Sequence, residues 1–329
     1  MNSLLPYAQL VRLPNTFTAL ADILLGALAT RFLSDRGSWF LKSLFGDDKS
    51  GLANISQEMR NWCLLFCLLT ASTFLYWSGM IWNDYFDLDQ DRKERPGRPL
   101  ASGRVSPRTA RLLAGALMGA GVLLAALADF LSPTGRWVST PIAVALVISI
   151  FLYDGVLKAT FAGPIVMGLC RSLNILLGLS VVGAWPPFWG WLIAIVIGIY
   201  IGGVTWFART EATVSSQPML VGAAIAILAS LLLALTVPAL ALESPRGEYE
   251  PSRLFLYLLT LFGAYLGVAV IAAIRRPDPT QVQPVVKRAI LGLVVLDALL
   301  ASAFVGSFGL LLAVLVIPGL FLGRWLYST

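Results

Sequence analysis

Residues 83–104, NDYFDLDQDRKERPGRPLASGR, concentrate the side chains that could do chemistry. They follow directly on an apolar run, residues 62–82, long enough to cross a bilayer. Four carboxylates come first, Asp84, Asp87, Asp89 and Asp91, and then Arg92, Lys93, Arg95, Arg98 and Arg104. If the helix of the apolar run continues, Asp84, Asp87 and Asp91 (i, i+3, i+7) share one face, with Asn83 beside them. Asp89 then points to the opposite side. Three like charges on one stripe repel each other, and a divalent cation among them removes that cost. Mg²⁺ suits such a site, because it takes one or two carboxylates, keeps several waters and completes its shell with phosphate oxygens. The stretch therefore reads as a diphosphate site at the membrane surface. A solvated boundary loop would need neither the helical spacing nor the sharp switch from acids to RPGRP.

The elements that position these residues are helical. Of the 329 residues, 57% are hydrophobic and 13% charged, with a mean hydropathy of +0.79; soluble domains carry about 25% charged residues. Apolar runs of helix length, rather than short alternating strands, imply an all-α, polytopic transmembrane helix bundle. A net charge of +6 fits Lys/Arg-rich cytoplasmic loops better than nucleic-acid binding. Cys63, Cys67 and Cys170 lie in apolar stretches without a CxxC pair, as packing residues do. There is no histidine. That excludes a His-based triad, the usual zinc sites and a His-ligated haem, and leaves proton transfer to Asp, Glu, Tyr, Lys, substrate or water. The N-terminal stretch lacks a basic n-region and a cleavage site, so it leads into a first helix rather than a signal peptide.

Helices are expected over residues 16–33, 62–82, 109–131, 137–157, 163–183, 188–207, 219–242 and 254–274. Residues 34–61 read as a long polar connection with an amphipathic piece on the membrane. The stretch 289–322 is too long for one crossing of a ~30 Å core and is split at 306–308, giving ten crossings. Loops after the even-numbered helices carry Arg92 to Arg111, Lys158, Arg209 and Arg275 to Arg288. The positive-inside rule then puts the motif loops in the cytoplasm, in a multi-pass protein of the cell's inner (cytoplasmic) membrane with a cavity open to that side. Residues 1–329 are expected to form a single domain. Within the apolar runs, Arg171, Ser172 and Asn174 are costly and should face the bundle interior. Asp22 is either a pocket acid or an inter-helix contact; Asp297 is either a pocket acid or a partner of Arg171 or Asn174.

The string NDYFDLDQDRKERPGRPLASG resembles the first Asp-rich motif, NDxxDxxxD followed by RPxRPL(A/V)SG, of the UbiA superfamily of integral-membrane prenyltransferases. The resemblance implies that Asn83, Asp84, Asp87 and Asp91 hold a polyprenyl diphosphate through Mg²⁺, with Arg95 and Arg98 beside the phosphates. Tyr153 to Lys158 is similar to the family's Y(S/P)xxLKR, whose Tyr and Lys face the headgroup pocket; Asp154 is an extra acid there. RSLNILLG, from Arg171 to Gly178, resembles the helix-five signature and implies that Arg171 and Asn174 face the lumen. The RLPN stretch at Arg12 is similar to one that leads into helix one near the acceptor pocket. Nine crossings are usual in the family.

The chain departs from the family at the second Asp-rich motif. There it reads YIGGVTWFARTEATVSSQ, which keeps Tyr200, Arg209 and Glu211 but no aspartate. Either Glu211 is the one acid on that side, or Arg209 meets the phosphate directly, with Lys158 approaching the same oxygens. The implied activity is transfer of a prenyl group from an isoprenoid diphosphate to an acceptor that no motif identifies. Aromatic faces such as Tyr85, Tyr153, Tyr200 and Trp206 are candidates to stabilise the allylic cation. The alternatives are a terpene cyclase of the same superfamily and a non-catalytic lipid-diphosphate binder. A transporter is disfavoured, because no repeat or broken-helix pair is evident.

Overall fold

The computed structural model describes residues 4–33, 51–242 and 252–327, which contain helices and turns and no strand. A short α1 (Leu5–Leu10) precedes α2 (Thr16–Ala29). The long α3 (Gly51–Phe86) ends in the acidic motif and hands over to α4 (Leu88–Glu94). Then come α5 (Pro107–Leu131), α6 (Ser139–Leu152), α7 (Gly163–Leu179) and α8 (Phe188–Phe207). The remainder comprises α9 (Gln217–Ala234), a short α10 (Val237–Leu242), α11 (Phe255–Arg275), α12 (Pro279–Val305) and α13 (Val316–Tyr327).

Among the described residues, eight segments are long and apolar enough to cross a membrane, and Leu13–Ala29 is a shorter apolar helix beside them. With α2 counted there are nine. The eighth segment, Pro279–Arg324, breaks at Gly306. Gly306 has φ 61° and ψ −153°, a backbone state essentially confined to glycine, so the chain turns there and residues 306–315 pack back against α12. The expected break at residues 306–308 is thus present, inside what counts as one apolar segment.

Two boundaries differ from expectation. Residues 51–61, assigned to a polar connection, are the first turns of α3; residues 34–50 lie outside the described residues. The basic stretch before residue 289, read as a loop, is helical from Pro279 onward, with proline in the first turn, where its missing N–H costs nothing. In both cases polar residues extend a helix beyond the apolar layer. Charge marks where the lipid ends, not where the helix ends.

Two local devices hold the frame. Asp129, near the end of α5, accepts the amides of Val138, Ser139 and Thr140 at 2.8–3.1 Å and the Thr140 hydroxyl at 2.7 Å. It thereby satisfies the orphan donors at the start of α6. Where α2 crosses α7, a Cβ on Gly178 would lie 2.7 Å from the Ile23 Cα. Only glycine permits that approach, and through it Asp22 of α2 meets Arg171 and Asn174 of α7.

Candidate functional site

The stripe on α3 continues inward from the acids. Tyr76, Met80, Asn83 and Asp87, spaced 4, 3 and 4 residues apart, line one vestibule of about 700 Å³. Arg12 and Asn15, the segment around Arg95 and Arg98, residues 153–159, α7, the end of α8 and Val286, Ile290 and Leu293 of α12 complete its wall. Six cations face it, Arg12, Arg95, Arg98, Lys158, Arg171 and Arg209, against three lining carboxylates, Asp87, Asp154 and Glu211. That excess suits a multiply charged anion. Beside the vestibule lies a smaller hollow of about 90 Å³ with mostly apolar walls, among them Leu75, Gly79, Leu146 and Ile150.

Each motif acid on the stripe is held by a cation. Arg98 donates to Asp84 at 3.2 Å and to Asp91 at 2.7 Å, and Arg12 donates to Asp84 at 3.2 Å and to the Asn83 side-chain oxygen at 3.3 Å. Lys158 pairs with Asp87. The Asp84 and Asp91 side chains are only 5% and 6% exposed, whereas Asp89 is 92% exposed and pairs with Arg92. Asp89 thus turns away from the other three, as the spacing predicts, but of those three only Asp87 lines the vestibule, and Asp84 and Asp91 lie buried against Arg98. Among the described residues no three acids already converge as a metal cage. The donor set nonetheless fits a hard cation, being carboxylate oxygens whose present partners are side chains able to swing toward phosphate.

After α6 the helix widens by one residue. The Lys158 amide reaches back five residues to the Tyr153 carbonyl at 2.9 Å, so residues 153–157 form a π-turn, a distortion common at functional sites. It sets Tyr153, Asp154 and Lys158 together on the vestibule wall, where Asn83 donates to Asp154 at 2.8 Å. Arg209 clamps the chain just beyond: one guanidinium nitrogen donates to the carbonyls of Ala159 and Thr160 at 2.7 and 2.8 Å. Arg209 lines the vestibule as expected, but that nitrogen is committed to the loop that bears Lys158. Glu211 also lines it; burial raises its carboxyl above the usual range, and Arg95 and Lys287 offset part of that shift.

Arg171 faces both hollows, with its guanidinium 5.8 Å from the centre of the Tyr76 ring. It donates to Asp22 at 3.0 Å and to the Thr18 hydroxyl at 2.7 Å. Asn174 lines the apolar hollow, but its amide is used between helices, donating to Asp22 and Ala19 and accepting from Ser72. Asp22 is therefore an inter-helix contact. Asp297 is fully buried and lines neither hollow, and among the described residues neither of its oxygens accepts a hydrogen bond, so it is not a hydrogen-bond partner of Arg171 or Asn174.

Tyr200 requires a correction. It was expected to bind substrate, yet it is fully buried, donates to the Ala289 carbonyl at 2.9 Å and lines neither hollow. The vestibule face of α8 is Ile201, Val204, Thr205 and Ala208, about a quarter turn away. Tyr85 and Trp206 also line neither hollow; they pack on Trp82 and Phe161. Sequence reasoning passed over Tyr76, Met80 and Met167. Extending the acid stripe inward at helical spacing finds the first two. Arg12 was noticed only as part of a helix start; its left-handed φ of 49°, unusual outside glycine, is a backbone feature that composition does not announce.

A sequence profile of the UbiA prenyltransferase family matches residues 50–291. The chain belongs to this family. This UbiA-family chain is 30% identical over 258 residues to a digeranylgeranylglyceryl phosphate synthase of Ignicoccus hospitalis, covering 72% of this chain and 77% of that protein. It is also 30% identical over 165 residues to protoheme IX farnesyltransferase 2 of Cenarchaeum symbiosum, a match to 47% of this chain and about half, 48%, of that relative. Its fold is similar to a solved digeranylgeranylglyceryl phosphate synthase, with TM-score 0.58, 18% identity and coverage of 92% of this chain and 99% of the other. A UbiA homologue from Archaeoglobus fulgidus bound to DMAPP and Mg²⁺ is similar with TM-score 0.51 and 16% identity, covering 91% and 98%.

Proposed function

We propose that this UbiA-family chain is a membrane prenyltransferase that holds a polyprenyl diphosphate in the vestibule through Mg²⁺ and passes the prenyl group to an acceptor. The observation that carries the reading is the pairing of Asp84, Asp87 and Asp91 with Arg12, Arg98 and Lys158 at a vestibule that six cations face, beside an apolar hollow. Asp84, Asp87 and Asp91 would hold the metal, which neutralises the leaving diphosphate when bound. Arg98, Arg12 and Lys158 then turn from the carboxylates to phosphate oxygens, exchanging one charge-assisted contact for another. Arg95 and Arg209 line the same wall and extend that cradle. The apolar hollow takes the first part of the prenyl chain and keeps water from the allylic carbon. Tyr76 and Tyr153 present aromatic faces where the two spaces meet.

The positive-inside rule supports a vestibule facing the cytoplasm in the cell's inner membrane, and the helix order supports one catalytic domain across residues 1–329. Purified protein given geranyl, farnesyl or geranylgeranyl diphosphate, with Mg²⁺ and either a glyceryl ether phosphate or an aromatic acid, should form prenylated acceptor by mass spectrometry. Cyclic hydrocarbon formed without acceptor would favour the cyclase; binding without any product would favour the non-catalytic binder.

A further inference from the structure

Of the three carboxylates lining the vestibule, the diphosphate reading gives a task to Asp87 and leaves Asp154 and Glu211 without one. Six residues wall both the vestibule and the apolar hollow: Tyr76, Met80, Tyr153, Asp154, Met167 and Arg171. A diphosphate in the vestibule with its chain in the hollow has its scissile C–O bond at this neck. Among the described residues, Asp154 is the one carboxylate in the neck. The π-turn sets it there, and Asn83 steadies one oxygen at 2.8 Å. Its other oxygen takes no hydrogen bond among the described residues. The rival acids are placed differently. Asp87 is paired with Lys158, Glu211 lines only the vestibule, and Asp22 and Asp297 line neither space.

We propose that Asp154 is the proton acceptor of the transfer step. The assignment rests on the prenyltransferase reading above. In the step, the bond between prenyl C1 and the bridging diphosphate oxygen breaks, and its electron pair leaves with diphosphate. For an acceptor with a hydroxyl group, a lone pair of its oxygen forms the new C1–O bond. The O–H proton, made strongly acidic as that bond forms, passes to the free oxygen of Asp154 and then to water in the vestibule. The products are a prenyl ether, diphosphate and one proton. No oxidant or further reactant is needed.

The test compares wild type with Asp154→Asn and Asp154→Glu. Asn keeps the size of the side chain and an oxygen for Asn83, but it cannot take a proton. Turnover is measured with geranylgeranyl diphosphate and Mg²⁺, offering geranylgeranylglyceryl phosphate as the hydroxyl acceptor and 4-hydroxybenzoate as the aromatic one. Binding is measured separately with the inert thiolo analogue of geranylgeranyl diphosphate. Wild type should prenylate at least one of the two acceptors. Asp154→Asn should lose about 100- to 10,000-fold in kcat, the usual share of general-base catalysis, with affinity for the analogue within about threefold of wild type. Asp154→Glu should recover part of the rate. Retention of wild-type kcat by Asp154→Asn would overturn the assignment. So would an equal loss of analogue binding, because Asp154 would then only be holding Asn83. No product from any acceptor would overturn the transferase reading itself, and this assignment with it.

Discussion

Asp84, Asp87 and Asp91 are already neutralised by Arg98, Arg12 and Lys158, so on the proposed function loss of one acid would remove a metal ligand and also free a cation. Asp84→Ala or Asp87→Ala should therefore lower Mg²⁺-dependent turnover by at least roughly 100-fold, the upper end of what even a supporting metal-site residue costs. Asp89→Ala should stay within about twofold, since an exposed pair such as Asp89–Arg92 contributes little. Steady-state kinetics on protein shown to be folded checks both, and an Asp89 variant as impaired as Asp87→Ala would undo the one-face assignment. Arg209 acts partly through the backbone it holds. Arg209→Ala should raise the KM for diphosphate by about 10-fold, the scale of one charged hydrogen bond, as Lys158 loosens. Arg209→Lys should restore only part, because a single ammonium does not reproduce the fork. The acid stripe was legible because its residues are contiguous and keep a helical period. Tyr200 misled because α8 is apolar on every side, so no polarity contrast says which face meets the cavity.

Helices place these groups by approaching closely rather than by burying apolar surface from water, since lipid offers no such drive. Gly178→Ala would press a Cβ against the Ile23 backbone and push α2 from α7. The expected cost is about 1–3 kcal/mol, read as a lower Tm in detergent, with turnover impaired because Arg171 loses its register on Asp22. Asp129→Ala should cost roughly 1–2 kcal/mol by leaving the first amides of α6 without an acceptor, while diphosphate affinity is unchanged. A Tm equal to wild type for either variant would contradict its role. Most helix cores were readable from the lengths of the apolar runs. The starts of α3 and α12 were not, because both continue as polar helix outside the apolar layer. Asp129 gave no sequence signal, since its partners lie nine to eleven residues on, across a turn.

The whole molecule is a bundle whose motif ends gather around one vestibule, and this follows from crossing parity. Glu94, at the end of α4, and Thr280, at the start of α12, are both exposed and should lie on the same side of the membrane. Cysteines introduced at the two positions should react together with an impermeant maleimide added from the cytoplasmic face; labelling from opposite faces would break the topology. Family and bundle were legible because one short motif and the apolar runs are local properties of the chain. The neck between the two spaces was not, because its walls come from α3, the π-turn and α7, which meet only on folding. The central claim is that the vestibule holds a prenyl diphosphate through a metal at Asp84, Asp87 and Asp91. Calorimetric titration of purified protein with the thiolo analogue of geranylgeranyl diphosphate, with and without Mg²⁺, tests it most directly. The account predicts binding that requires Mg²⁺ and is lost in Asp87→Asn; equal binding without the metal, or undiminished binding by that variant, would contradict it.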